Sequence, residues 1–455
     1  MAASKANKET CGAFEPCLWG DFFVNYTSTS SQGSEEWMRE RREQLKGEVC
    51  RKFEAGKAMS VADTVRLVDT LERLGIDNHF VKEVEEALDR VHDEELDFGS
   101  SNDLDVVALR FRLLWQHGFW VSADVFDKFR DDDTGSFNIN LSNDPRGLLS
   151  LYNAAHMAVP GETILDDVIA FTRRHLEAAK GKLTSPIKEQ VSRALEIPLP
   201  RFMRQLETMH HITEYEKEEP HDIMMLELAK INLNLLRSVH LKELKDLSLW
   251  WRDLYDSVKH FHSFGVFHGE ESSAARIILT KVFGLLVLID DTFDVRATFE
   301  ESQMLDDALQ RWDESMVSLI SEYLRMFYIK TLSNFNEMED TLEPYEKYRM
   351  AYVKKEYQLQ SKSSIQQAKW FNENCTPSFK EHLDVSLMAT GLPLLFFTAL
   401  MRAGQAINNE AFEWALDMPD MFYANIEEWV ASSMTLLLTS KGSARRMWPA
   451  LWSAT

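Results

Sequence analysis

Three aspartates end an apolar stretch in the second half of the chain. Residues 281–294 read KVFGLLVLIDDTFD, and the apolar part predicts a buried helix. On such a helix Asp290 and Asp294 are four residues apart and share one face, while Asp291 lies to one side. Carboxylate oxygens are hard ligands, so this spacing predicts a site for Mg²⁺, with Mn²⁺ as the alternative.

A metal site of this kind indicates one type of chemistry. Magnesium ions at the mouth of an apolar helix bundle would bridge the protein and a diphosphate ester, neutralising the leaving group as its C–O bond breaks. The product is a carbocation, which survives where water is excluded and aromatic faces surround it. The alternative is a solvated acidic face, because a DDxxD string arises easily in a chain with 73 acidic residues. The apolar run before the motif favours the metal site.

The elements that must position the aspartates are predicted to be helices. Residues 60–74, 105–115 and 223–241 place apolar residues at three- and four-residue spacing, which is the helical period. Strand-like alternation is scarce, and Gly and Pro fall between the periodic segments, where they would end helices. The sequence therefore predicts an all-α fold with two helical domains. The acidic stretch 214–220 is the best candidate for the boundary between them.

Size and charge narrow the class of protein. A chain of 455 residues with 45% hydrophobic content is long enough for two packed domains. Its formal net charge of −23 argues against a nucleic-acid partner, because phosphate binding needs clustered Lys and Arg. Four cysteines without CxxC pairs indicate a reducing compartment rather than a zinc site or a disulfide framework.

The N-terminus and the apolar stretches bear on location. The first ten residues, MAASKANKET, lack the apolar core of a signal peptide and the long Arg/Ser-rich stretch of a plastid transit peptide. A cytoplasmic protein is therefore expected. The longest apolar stretches, residues 282–289 and 392–400, are shorter than the roughly 20 residues that span a bilayer, so no membrane span is expected.

Four segments together resemble one enzyme family. They are LWGDFF at residues 18–23, LSLWWRDL at 247–254, ARIILTKVFGLLVLIDDTFD at 275–294 and EAFEWALDMPDMFYA at 410–424. In this order they resemble the plant class I terpene synthases, and the similarity extends over nearly the whole chain to about residue 424. The ordered set is far more specific than the acidic motif alone.

The resemblance implies a domain layout and a set of site residues. Residues 1–220 would form an N-terminal α-barrel-like relic domain, and residues 221–428 a C-terminal α-bundle that ionises prenyl diphosphates with magnesium. Asp290, Asp291 and Asp294 would be the metal ligands, and Asp290, Asp294 and Gly391 would bind the substrate. Gly391 is included because its break in an apolar helix resembles the kinked helix beside the family's substrate pocket. A plain packing kink is the alternative.

Two missing motifs narrow the expected substrate. The tandem arginines that many plastid monoterpene synthases carry before LWG are absent, and Thr10 and Cys11 stand in that region. No DxDD motif of the class II cyclases is present either. The resemblance therefore favours a cytosolic, grass-like sesquiterpene synthase that acts on farnesyl diphosphate, and a monomer is expected.

The chain departs from the family pattern after WWRDLYDSVK at residues 250–259. Family members continue there with an Arg-x-Arg segment, whereas this chain continues HFHSFGVFHGEE, as if about three helical turns were deleted. Both arginines would be lost, together with an active-site Trp whose place is taken by His262. Arginine forks hold the departing anion, so their loss is expected to cost several powers of ten in rate. No catalytic residue is therefore assigned as intact.

A second departure concerns residues 429–455, which are interpreted as an aberrant, frameshift-like tail. The family's second metal motif, (N/D)DxxSxxxE, is expected on a later helix, and no such string follows residue 424. Back-translated with suitable synonymous codons and read in a shifted frame, the tail resembles the missing motif region of grass relatives. The C-terminal domain is therefore expected to be incomplete. An ordinary helix with a solvated basic end is the alternative.

Two functional hypotheses follow. In the first, the chain is a magnesium-dependent sesquiterpene synthase with residual activity through Asp290, Asp291 and Asp294. In the second, which both departures favour, it is a truncated and inactive or severely impaired member of the family. A trans-prenyltransferase is a weaker third option, because that family carries two aspartate-rich motifs and one is visible in this sequence.

Overall fold

The architecture is helical wherever the chain is described. The structure is a computed structural model, and it describes residues 21–27, 32–55, 59–94, 103–131, 136–159, 162–218, 220–254, 267, 269–402 and 407–416. Within these ranges no β-strand is formed, and an isolated bridge joins Arg130 and Phe137. The predicted all-α fold is confirmed.

The described residues form sixteen α-helices, numbered in chain order. The first eight are α1 Gln32–Ala55, α2 Val61–Arg73, α3 Val81–Asp93, α4 Leu104–Gln116, α5 Pro145–Ala155, α6 Thr163–Ala179, α7 Ile187–Glu196 and α8 Arg204–Tyr215. The other eight are α9 Ile223–Leu254, α10 Ser273–Asp291, α11 Phe299–Arg311, α12 Glu322–Asp340, α13 Arg349–Glu373, α14 Phe379–Ala389, α15 Leu392–Met401 and α16 Asn409–Leu416.

The chain divides into two compact units. Unit A takes in the described residues from Thr27 to His240 together with Gly269 and Glu270. Unit B takes in the described residues before Thr27 and those from Leu241 onward, except Gly269 and Glu270. The division falls inside α9, between His240 and Leu241. The functional domain boundary at residues 220 and 221 stays a prediction.

Unit A is built around α4. Eleven of the thirteen residues of this helix are buried, and they include the large side chains of Phe111 and Leu113. Asp103 begins the helix, because its side chain accepts the backbone N–H of Val106 at 3.3 Å. A helix buried on nearly every side forms the centre of the core, and the flanking helices pack around it.

A cluster of buried ion pairs also belongs to unit A. Glu207 accepts from Arg73 Nη2 at 2.9 Å and from Arg193 Nε at 2.8 Å. Arg193 Nη1 donates to Glu214 at 2.7 Å. A cavity of about 260 Å³ adjoins this cluster. Because both arginines have carboxylate partners within the cluster, its role is to join α2, α7 and α8.

The core of unit B forms around α10, which carries the aspartates. This helix contacts α12, α13 and α15, and its Val282, Leu285 and Ile289 side chains are fully buried. An aromatic cluster packs nearby: the Phe335 ring centroid lies 4.8 Å from that of Trp312 and 5.2 Å from that of Tyr357. The Tyr357 hydroxyl donates to the carbonyl of Leu285 at 3.4 Å, which joins α13 to α10.

Two helices of unit B begin with reciprocal caps. Thr298 accepts the backbone N–H of Glu301, and the Glu301 carboxylate accepts the backbone N–H of Thr298, so α11 begins just after the aspartate motif. Ser378 and Glu381 form the same capping box at the start of α14. These caps define where α11 and α14 begin.

Two helical stretches are long and apolar enough to cross a membrane. They are Glu270–Asp294, in which 61% of the apolar window is buried inside the protein, and Phe379–Met401, in which 33% is buried. Core helices of globular proteins meet the same criterion, and the first stretch contains the core helix α10. The expectation that the chain has no membrane span stays a prediction.

Candidate metal and substrate site

The three predicted metal ligands lie at the carboxyl end of α10. The α-helix includes Asp290 and ends at Asp291, and residues Thr292–Arg296 continue as a π-helical turn. The wider turn is closed by the backbone N–H of Ala297, which donates to the carbonyl of Thr292 at 2.9 Å. The sequence predicted the helix but not this widening, which is frequent at functional sites.

The π turn has an internal support. The hydroxyl of Thr292 is buried and donates to the carbonyl of Leu288 at 2.6 Å, and the Phe293 ring lies in the core of unit B. Asp290 and Asp294 flank these buried residues, and both are exposed. The buried Thr292 and Phe293 anchor the turn, and the exposed carboxylates on either side of them remain accessible to a ligand.

The carboxyl groups of the motif resist ionisation. Although the Asp290 side chain is exposed, the protein atoms around it displace water and raise its pKa to about 6, and the charges of Asp294 and Asp291 add to this effect. Loss of water, followed by the charge of Asp291, raises the pKa of Asp294. Loss of water also raises the pKa of Asp291. The motif is therefore a concentration of like charge.

No cationic side chain in the described ranges offsets this charge. Nearby protein atoms and neighbouring aspartates are the causes of the raised pKa values, and no Lys, Arg or His acts to lower them. Within the part of the chain that the structure describes, three carboxylates at one helix end therefore repel one another without a cation that reduces the repulsion. A divalent cation would relieve this repulsion, so the donor set fits Mg²⁺.

The described residues supply only part of a coordination shell. Among the described residues, no three His, Cys, Asp or Glu side chains are grouped closely enough to hold a metal ion by themselves. This arrangement suits Mg²⁺, which is typically held by one or two carboxylates and completed by water and substrate phosphate oxygens. The ion and a phosphorylated ligand would therefore bind together.

Gly391 contacts the helix that carries the aspartates. It adopts a left-handed conformation with φ 71° between α14 and α15, so the apolar helix is broken there, as its sequence indicated. A Cβ at this position would lie 2.3 Å from Leu286 Cδ2 of α10. Leu286 precedes Asp290 by one turn, so only glycine allows this close approach beside the site. Substrate contact by Gly391 stays a prediction.

Two tryptophans pack against α10, and the sequence did not predict this contact. Gly284 packs on two tryptophans: a Cβ there would lie 2.9 Å from Trp251 Cζ3 and 3.3 Å from Trp250 Cη2. Trp250 Nε1 donates to Asn334 Oδ1 at 3.1 Å, and the Lys281 ammonium lies 5.6 Å from the Trp250 ring centroid. A glycine inside an apolar helix was the available signal, because it usually has a packing reason.

Two predicted features lie outside the described residues. They are the proposed deletion after residue 259, with His262, and the tail of residues 429–455. The predictions about both rest on the sequence.

Comparison with known proteins identifies the family. The model for the N-terminal domain of terpene synthases matches residues 18–195, and the model for the metal binding domain of the terpene synthase family matches residues 251–427. An eudesmanediol synthase of Zea mays is 55% identical over 424 residues, which cover 90% of this chain and 76% of that relative. The chain belongs to the terpene synthase family. The predicted resemblance is confirmed.

Other terpene synthases extend the comparison. A tau-cadinol synthase of Zea mays is 45% identical over 441 residues, covering 93% of this chain and 80% of the relative. The isoprene synthase of grey poplar, solved with three Mg²⁺ ions and dimethylallyl-S-thiolodiphosphate, superposes with a TM-score of 0.77 at 30% identity, covering 85% of this chain and 76% of that one. A limonene synthase with 2-fluorolinalyl diphosphate gives 0.77 at 26% identity, covering 90% and 78%. A divalent metal cofactor and a prenyl diphosphate substrate follow at the level of the family.

Proposed function

We propose that this terpene synthase carries a magnesium-dependent site for farnesyl diphosphate and that its turnover is lost or severely impaired. The observation that carries the proposal is the set of Asp290, Asp291 and Asp294 at the end of the buried helix α10. Their raised pKa values, without a compensating cation among the described residues, support a site that a metal ion completes.

The relatives support the choice of farnesyl diphosphate. Zea mays proteins named eudesmanediol synthase, tau-cadinol synthase and alpha-copaene synthase are 55%, 45% and 42% identical to this chain. These are sesquiterpene synthases, so a fifteen-carbon diphosphate is the substrate class proposed for this chain. A cytoplasmic location and a monomeric state belong to the same proposal and rest on the sequence.

The site residues have distinct parts in this reaction. Asp290 and Asp294 bind the cation in their deprotonated form, and Asp291 adds charge from the side of the same helix end. Bound magnesium would neutralise the charge that develops on the departing diphosphate. Ile289 and Phe293, which adjoin the aspartates in the sequence, are buried in the apolar core of unit B.

The proposed impairment rests on the sequence between α9 and α10. After Lys259 the chain continues HFHSFGVFHGEE, which contains no arginine. Family members carry an Arg-x-Arg segment in this place, and its guanidinium groups close over the leaving diphosphate. Without them the departing anion loses two bidentate partners, so binding can persist while turnover fails.

Product analysis tests the proposal. Purified full chain is incubated with farnesyl diphosphate and Mg²⁺, and extracted products are measured by gas chromatography beside Asp290→Ala and the surface control Asp307→Asn. We expect wild type to form no more terpene than Asp290→Ala. Circular dichroism should show that all three proteins are folded. Terpene formed by wild type and by Asp307→Asn, but not by Asp290→Ala, would establish the residual-activity hypothesis instead.

An insertion variant tests the cause of the impairment. A segment containing Arg-x-Arg is inserted after Lys259, and an otherwise equal segment with Gln-x-Gln serves as the matched control. If the lost arginines limit turnover, the arginine insertion raises product formation by at least tenfold over its control. Equal product from both insertions would show that the impairment has another cause.

A further inference from the structure

A buried ion pair joins α9 to α10, the helix that ends in the aspartate motif. Arg276 on α10 is 0% exposed, and Glu243 on α9 is 5% exposed. The guanidinium donates from Nε to Glu243 Oε2 at 2.9 Å and from Nη2 to Glu243 Oε1 at 2.8 Å, so the pair is bidentate. Its Nη1 donates to the carbonyl of Phe267 at 3.2 Å. Arg276 therefore connects α9, α10 and the chain that leads into α10.

Apolar packing alone defines the register of α10 weakly. Of residues 277–289, only Thr280 and Lys281 are polar, so the helix is apolar around nearly its whole circumference. Apart from the close fits of Gly284 with Trp251 and of Leu286 with Gly391, such a surface gives the helix few directional contacts that fix its register. A shift by one residue would move the helix by about 1.5 Å along its axis and turn it by about 100°. Either change would displace the carboxylates at its end.

A buried pair of opposite charges removes this freedom. Replacing such a pair by apolar residues of similar volume is often neutral for stability, whereas a buried polar group can specify one register because it is satisfied in only one. The two-point fork on Glu243 fixes both the axial position and the rotation of Arg276. The bond to Phe267 adds a third direction.

We infer that Arg276 is a positioning residue for the metal site. Asp290 lies fourteen residues further along α10, about four turns, so a helix held at Arg276 presents Asp290 and Asp294 at a fixed place. The arginine acts through Glu243 and the helix, not by contact with the substrate. The inference rests on the proposed function, since it concerns the binding of a metal and a diphosphate at the same aspartates.

The test compares binding with folding. The full-length double variant Arg276→Met/Glu243→Leu removes both charges at similar volume, and Arg276→Lys keeps both charges but loses the fork. An unreactive farnesyl thiolodiphosphate is titrated calorimetrically in Mg²⁺, and circular dichroism and Tm report folding. We expect the folded double variant to bind the probe at least tenfold more weakly than wild type and Arg276→Lys to lie between them.

A matched control separates position from packing. Arg349 on α13 is also buried, and it donates to the carbonyls of Met401 at 3.0 Å and Ile407 at 2.6 Å. Arg349→Lys therefore disturbs a buried arginine of the same unit whose bonds run to Met401 and Ile407, and its probe affinity should stay within twofold of wild type.

The outcomes distinguish the inference from the function on which it rests. Wild-type affinity in a folded double variant, or equal losses in Arg276→Lys and Arg349→Lys, would overturn the positioning role. If the double variant does not fold, the comparison of the two lysine variants decides. Failure of wild type itself to bind the probe in Mg²⁺ would overturn the proposed function, whatever the variants do.

Discussion

The unusual feature at the level of single residues is a cluster of three carboxyl groups whose pKa values are all raised. An ordinary aspartate has a pKa of 3.8, whereas that of Asp290 is raised to about 6 by loss of water and by its two aspartate neighbours. Raised pKa values of this kind are typical of functional sites, and a bound cation would remove the repulsion between the carboxylates. The spacing of the aspartates was readable in the sequence, but the shift was not, because it depends on atoms brought near by the fold.

Asp290 should make the stability of the metal-free protein depend on pH. A carboxyl whose pKa is higher in the folded state contributes stability that is fully present below pH 3.8 and is lost as the pH rises through about 6. Asp290→Asn removes this loss, so the variant should have a Tm above that of wild type at pH 7.5 by roughly 1 to 3 °C. At pH 4 this advantage should disappear.

Thermal unfolding in EDTA at both pH values makes the measurement. Asp307→Asn, which replaces an exposed aspartate of α11, serves as the control and should show no gain at pH 7.5. A gain from Asp290→Asn that is equal at pH 4 and pH 7.5 would contradict an ionisation effect.

At the scale of elements, α10 is held in place by contacts on three sides. Gly284 packs against Trp250 and Trp251, and Leu286 packs against Gly391. Arg276 donates hydrogen bonds to Glu243. At the two glycines a larger side chain would not fit, because the interior is closely packed. At Arg276 the buried charge needs the carboxylate of Glu243 as its partner. The geometry of the aspartates therefore depends on residues well removed from the motif.

Gly391→Ala should destabilise unit B beyond the cost of its backbone conformation. The added Cβ would meet Leu286 Cδ2 at 2.3 Å, and φ is 71°. Gly118→Ala is the matched control, because φ is 85° there and nothing lies within 4 Å of the added atom. We expect the control to cost about 1 kcal/mol and Gly391→Ala to cost a further 1 to 3 kcal/mol, roughly, from overpacking.

Urea unfolding of the two glycine variants provides these free energies. The double variant Gly391→Ala/Leu286→Ala should be more stable than the sum of its single changes, since the smaller side chain removes the clash. Equal costs for Gly118→Ala and Gly391→Ala would show that Leu286 does not limit the approach of the helix break to α10.

Much of this architecture could be predicted from local sequence, and the rest could not. The helical period and the positions of Gly and Pro indicated the all-α fold and the break at Gly391, because these signals act over a few residues. The Arg276 pair was not predicted, since Glu243 lies 33 residues earlier and only the fold brings the two together. The π turn was missed because DDTFD continues a helical pattern without a Gly or Pro to mark a change.

At the scale of the whole molecule, the negative net charge of the protein makes a bridging Mg²⁺ ion necessary for substrate binding. The chain carries a formal net charge of −23, and a diphosphate ester is an anion, so the two repel each other in the absence of a bridging ion. Binding of the substrate should therefore require Mg²⁺, even if turnover is lost with the arginines that follow Lys259 in the family. We therefore expect the protein to bind the substrate in Mg²⁺ without converting it to product.

The most direct measurement is the thermal unfolding of the full chain with an unreactive farnesyl thiolodiphosphate, in Mg²⁺ and in EDTA. At a probe concentration of one hundred times Kd the bound protein should gain about 2.7 kcal/mol, which for a chain of 455 residues is a rise in Tm of roughly 3 °C. The rise should need both probe and Mg²⁺, and Asp290→Ala/Asp294→Ala should abolish it. No rise in wild type, or an equal rise in the double variant, would contradict a metal-dependent diphosphate site at these aspartates.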